Sequence, residues 1–137
     1  MSKKILQIVL GLASLAPLII GLMDYLPGVQ KYFPAGTEIP TKLDSEFRFM
    51  VGAFMGYAFM GFYIARHVTT AIWPLRIMCI GVFIGGLGRL ISALTVGPPP
   101  TGLYISMVIE LLFPLFMVWQ NAVVKKQNQK PKTSKNA

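Results

Sequence analysis

Three observations predict an all-α fold, a four-helix transmembrane bundle with both termini on the cytoplasmic side. Four stretches of the 137-residue chain are long and apolar enough to cross a bilayer. Charged residues make up 13% of the composition, against about a quarter in ordinary soluble domains, and the mean hydropathy is +0.59. Lysine and arginine gather on one side of the apolar stretches, as the cytoplasmic side of a membrane protein requires.

A membrane helix needs about 20 apolar residues, because the hydrocarbon core is about 30 Å thick and each residue rises 1.5 Å. The first span runs over residues 5–22, the second over 47–65, the third over 75–96 and the fourth over 103–124. Turn residues separate them: Leu26-Pro27-Gly28 with Pro34 and Pro40, then Trp73-Pro74, then the run from Gly97 to Gly102. Span one follows Lys3 and Lys4, as a secretory signal would. Cleavage after Ala16 would meet Pro17 at once, and the apolar run continues to Leu22, so retention as an anchor is expected.

With both termini inside, the inner flanks hold Lys3, Lys4, Arg66, Arg76 and the tail lysines Lys125, Lys126, Lys130, Lys132 and Lys135. Lys31, Lys42 and Arg48 fall outside, together with Asp24, Glu38, Asp44 and Glu46. The resulting expectation is a multi-pass protein of a bacterial inner membrane. Residues 125–137 carry almost nothing apolar and are expected to form a disordered basic tail.

Two ionisable residues lie inside spans, Arg89 in the third and Glu110 in the fourth. Each is seven residues from the outer end of its span, about 10 Å deep, so the two are level and are expected to pair. Pro114 lacks an N–H, which should kink span four and leave the Glu110 carbonyl without its helical donor. Gly81, Gly85, Gly88 and Ser92 form a narrow arc near Arg89; Arg48, Gly52 and Gly56 repeat the device on span two. These glycines are expected to let helices approach closely, and the same faces suit a homo-oligomer.

The expected site is a polar cluster open to the outer face, made by Asp24, Asp44, Glu46, Arg48, Arg89, Glu110 and Ser92. It would bind a small polar ligand or a lipid headgroup, with membrane lipids as partners. An equally weighted reading is a charge network satisfied within the protein, since arginine and carboxylate pair bidentately. A third is a small oligomeric transporter or proton pathway using Glu110.

Other chemistries find little support. Cys79 is the single cysteine and His67 the single histidine, which excludes a disulfide and the usual zinc spacings; no metal site and no cofactor are expected. The surplus positive charge is flanking charge and implies no nucleic-acid partner. No nucleophile with a positioned base occurs, so a non-enzymatic role is favoured and no catalytic residue is assigned. Gly85-Gly86-Leu87-Gly88 lies in an apolar run with no preceding strand, so it is not a phosphate-binding loop.

The string Asp44-Ser45-Glu46-Phe47-Arg48, then Gly52, then Gly85-Gly86-Leu87-Gly88-Arg89-Leu90-Ile91-Ser92, then Gly97-Pro98, then Glu110-Leu111 resembles the small bacterial membrane proteins grouped as domain of unknown function 4345. The likeness covers roughly residues 5 to 122. It implies a four-helix inner-membrane protein and carries no established activity, substrate or cofactor. The Pro98-Pro99-Pro100 run is stiffer than the turn usual in that family.

Overall fold

The computed structural model describes residues 2–129. Five α-helices follow one another: α1 (Lys3–Tyr25), α2 (Thr41–Arg66), α3 (Ile72–Thr95), α4 (Thr101–Leu112) and α5 (Leu115–Asn128), with a short 3₁₀ turn at Val29–Tyr32. No strand occurs among the described residues. Helices α1, α2 and α3 are each long and apolar enough to cross a membrane; α4 and α5 meet the test together, bent by 42° where they join. The described residues therefore hold three candidate membrane spans, or four if the bent pair is one span. On α3, Trp73, Ile77, Ile80, Ile84, Leu87, Ile91 and Leu94 recur every three or four residues and are all exposed, an apolar face of the kind a bilayer covers.

The helix ends differ from the apolar spans for local reasons. Helix α2 starts at Thr41 rather than 47, because Pro40 at its head accepts bonds from the Leu43 and Asp44 N–H groups and opens the helix inside a polar segment. Pro74 lies in the first turn of α3, not in a turn before it; the N–H that proline lacks has no intrahelical partner there. Pro17 sits within α1, which continues unbroken to Tyr25. Pro100 caps α4 by accepting from Leu103 at 2.9 Å and Tyr104 at 3.1 Å. Helix α5 carries Lys125 and Lys126 in its last turn, where cations suit the helix dipole, so the polar tail begins as helix. The expectation of disorder for residues 130–137 lies outside the described residues.

Two compact units divide the chain: Gln7–Arg66, and residues 2–6 with 67–129. In the first, α1 and α2 meet on small residues. A Cβ at Gly61 would strike Ser14 Oγ, and one at Gly21 would strike the Met55 side chain. The Ser14 hydroxyl is itself turned back onto the Leu10 carbonyl at 2.7 Å, which satisfies it inside an apolar helix. In the second unit, α3 packs against α4 and α5, with Leu75, Met78, Cys79, Gly86, Met107 and Val123 buried.

Gly86 is where α3 and α4 come closest. A Cβ there would lie 3.0 Å from Glu110 Cβ and 3.1 Å from the Leu111 backbone nitrogen. Four of the glycines expected to serve this purpose, Gly52, Gly56, Gly85 and Gly88, are less confined. A Cβ at Gly56 or Gly88 meets open space, one at Gly52 reaches only the Tyr25 ring at 3.9 Å, and one at Gly85 lies 4.0 Å from Glu110 Oε2. The arc drawn from sequence places its glycines by angle alone, and the tight approach falls one residue along, on the side of α3 that meets α4. Gly86→Ala is therefore expected to lower stability by about 1–3 kcal/mol, while Gly88→Ala, in open space within the helix, is expected to raise it by up to about 1. Thermal unfolding of the two variants in one detergent, followed by circular dichroism, tests this; equal melting temperatures would refute the assignment of Gly86.

Candidate functional site

Four of the residues singled out in sequence form two ion pairs, Arg89–Glu110 and Arg48–Asp44, each within one unit. Arg89 and Glu110 belong to the unit of α3, α4 and α5, and they pair. Arg89 Nε donates to Glu110 Oε1 at 3.1 Å and to Oε2 at 3.0 Å. Ser106, one turn before Glu110, places its hydroxyl 3.4 Å from the same Oε1 and 3.4 Å from the Leu103 carbonyl. The carboxylate is the more enclosed partner, with 16% of its side chain exposed against 38% for Arg89.

The helices hold this geometry through Gly86. Three residues before Arg89, it lets α3 approach the backbone at Glu110 and Leu111, so the carboxylate lies beside the arginine stem and meets Nε first. The terminal amino groups of Arg89 make no hydrogen bond among the described residues. The pair is thus not the fork-to-fork arrangement that would use up the guanidinium. Ser92, one turn further on, is exposed and makes no side-chain hydrogen bond among the described residues.

The kink expected at Pro114 is present, as the 42° bend between α4 and α5, but the Glu110 carbonyl is not left open. Helix α4 ends at Leu112, and the Phe113 N–H closes onto the Glu110 carbonyl at 3.2 Å, so that carbonyl is satisfied by a tighter turn instead of being left open. The Phe116 N–H at 3.0 Å and the Cys79 thiol at 3.6 Å then converge on the Phe113 carbonyl. Backbone freed by the proline is taken up locally.

In the Gln7–Arg66 unit, Arg48 and Asp44 clamp the loop after α1. Arg48 Nε donates to Asp44 Oδ2 at 2.7 Å, and its Nη1 donates to the Tyr25 and Leu26 carbonyls. The Val29 N–H donates to Asp44 Oδ1 at 3.1 Å. Gly28 passes directly over the pair with φ +69°, and a Cβ there would strike both Arg48 and Asp44, so only glycine fits. A cleft of about 310 Å³ beside the pair is lined by Pro27, Gln30, Ile39, Thr41, Asp44 and Arg48.

Asp24 does not join Arg48. Its Oδ1 accepts from Lys31 Nζ and from the Tyr32 hydroxyl, which lies at 3.0 Å. The Asp24 carboxylate holds the Lys31 ammonium above its ordinary range, while partial burial and the same carboxylate raise the Tyr32 phenol. Glu46 is exposed and forms no ion pair among the described residues. The arginines at the two clusters thus differ in use: Arg48 ties down a loop, whereas Arg89 keeps donors in hand.

Sequence reasoning passed over Gln120. Its side chain is buried in α5, 1% exposed, and Nε2 donates to the Val68 carbonyl at 2.9 Å and the Ala71 carbonyl at 3.1 Å. These are carbonyls of the loop that leads into α3, so one amide fixes the start of α3 against α5. The signal was a glutamine inside Val118-Trp119-Gln120-Asn121-Ala122-Val123, where a polar side chain implies a partner. No group of three or more potential metal ligands occurs among the described residues.

Because each ion of the pair is compensated by the other, removing one should cost more than removing both. Glu110→Ala is expected to destabilise by about 2–4 kcal/mol, and adding Arg89→Ala should recover about 1–2 kcal/mol of that. A double-mutant cycle measured by thermal unfolding gives the coupling; strictly additive losses would refute a bonded pair.

No curated protein and no solved structure matches the chain. One family does: Domain of unknown function (DUF4345), across residues 5–120. That match runs from the first turn of α1 into the first half of α5 and includes every residue of both charge clusters, and the chain belongs to this family.

Proposed function

We propose that this is a multi-pass protein of a bacterial inner membrane, with cytoplasmic termini, that binds a lipid headgroup or small polar ligand and performs no catalysis. The bent α4–α5 pair serves as the fourth span. Support for the orientation is the excess of lysine and arginine at the start of α1, at the end of α5 and, as Arg66 and Arg76, on the helix ends that flank the loop between α2 and α3. Arg76 supports the same boundary: its guanidinium carbon lies 5.1 Å from the centre of the Trp73 ring, as suits an interfacial tryptophan. Reporter fusions test the orientation. Alkaline phosphatase, active only outside the cytoplasm, is expected to be active when inserted at Pro99 and inactive when fused after Gln129; the opposite pattern inverts the topology.

One observation carries the binding role: Arg89 engages Glu110 through Nε alone and leaves its two terminal amino groups unbonded among the described residues. An arginine placed in an apolar helix merely to hold two helices together gains by spending those donors on the protein, because each unmade bond in a dry setting is costly. Donors kept open on a fixed fork suit a phosphate or carboxylate.

Native mass spectrometry of protein extracted gently from its membrane tests the role. An adduct on the parent should fall about tenfold in occupancy in Arg89→Lys, which keeps the positive charge and removes the fork. An adduct equally retained by both proteins, or absent from the parent, would overturn it.

A further inference from the structure

Resting on that reading, we infer that the ligand is a zwitterion that joins an oxyanion to a primary ammonium, as a phosphoethanolamine headgroup does. The inference comes from what remains open on both members of the pair. On Arg89 the open groups are donors, the two terminal amines. On Glu110 the oxygens are unequally used: Oε1 receives Arg89 Nε at 3.1 Å and the Ser106 hydroxyl at 3.4 Å, whereas Oε2 receives only Arg89 Nε at 3.0 Å. A carboxylate oxygen accepts two bonds, so Oε2 keeps one lone pair for a further donor. Its neighbour on that side is Gly85, where a Cβ would lie 4.0 Å from Oε2, so the missing side chain leaves the oxygen approachable.

Net charge sharpens the choice. Arg89 and Glu110 sum to zero, so a ligand carrying net negative charge would leave an uncompensated ion among apolar helices, and the adjacent carboxylate would repel it. A ligand of zero net charge, with its negative end on the arginine fork and its positive end on Glu110, adds no such cost. A primary ammonium donates hydrogen bonds to a carboxylate; a quaternary ammonium has no N–H to give. The site should therefore separate ethanolamine from choline as well as from purely anionic headgroups.

The full-length protein in nanodiscs of equal parts phosphatidylethanolamine, phosphatidylcholine and phosphatidylglycerol, released for native mass spectrometry, tests the inference. The parent is expected to retain phosphatidylethanolamine about tenfold over either other lipid. Glu110→Gln, its helices checked by circular dichroism, should keep an adduct and lose the preference for ethanolamine over choline. A parallel arm in phosphatidylcholine-only discs with millimolar glycerophosphoethanolamine, a phosphodiester of zero net charge, identifies the source: a soluble adduct there, with no lipid preference, assigns the same chemistry to a free molecule.

Equal retention of all three lipids together with no glycerophosphoethanolamine adduct overturns the inference. If Arg89→Lys still empties the site in those samples, the binding role stands and only the zwitterion is refuted. If Arg89→Lys retains the adduct, the binding role itself has failed.

Discussion

A charged side chain in an apolar helix is tolerated only beside an opposite charge, and this constraint organises the α3–α4 interface. Arg89 lies six residues before the end of α3 and Glu110 nine residues after the start of α4, and neither has another ionic partner among the described residues. Their meeting requires the helices to be close, which places glycine at 86; closeness in turn draws the carboxylate onto Nε and away from the fork's outer edge. Ion pair, small residue and unspent donors are consequences of one packing decision.

The same economy governs backbone groups. A helix break in an apolar region exposes carbonyls that no water can satisfy, so the break at Phe113 and Pro114 is closed by a tighter turn and by the Cys79 thiol. At the loop entering α3, the side-chain amide of Gln120 supplies donors for two carbonyls. The Gln7–Arg66 unit solves its loop with charge instead: Arg48 and Asp44 neutralise each other while binding the Tyr25 and Leu26 carbonyls and the Val29 N–H. Arg48 and Arg89 look alike in sequence, each followed or preceded by glycines at helical spacing. They serve different ends because only one of them faces a loop rich in backbone acceptors.

The helical class and the long apolar segments were legible because they depend on composition and run length, which bilayer thickness makes decisive. The pairing of Arg89 with Glu110 was legible too: an antiparallel connection brings level the residues that lie at equal distance from it, and these two are equally far from the run Gly97 to Gly102. Asp24 was less legible. Lys31 and Tyr32 reach it because a 3₁₀ turn folds the loop back, and no periodicity in the sequence announces that turn.

What the sequence determined alone is therefore the long apolar helices, the charges that needed partners and the proline at the break between α4 and α5, all set by the cost of placing polar groups among apolar ones. Tertiary structure decided which glycine bears the closest contact, which nitrogen of Arg89 meets the carboxylate and which carbonyls Gln120 holds. Those choices differ by a single residue or a single atom. Helical angle does not resolve them, because they depend on how far one helix slides and rotates against its neighbour before its side chains touch.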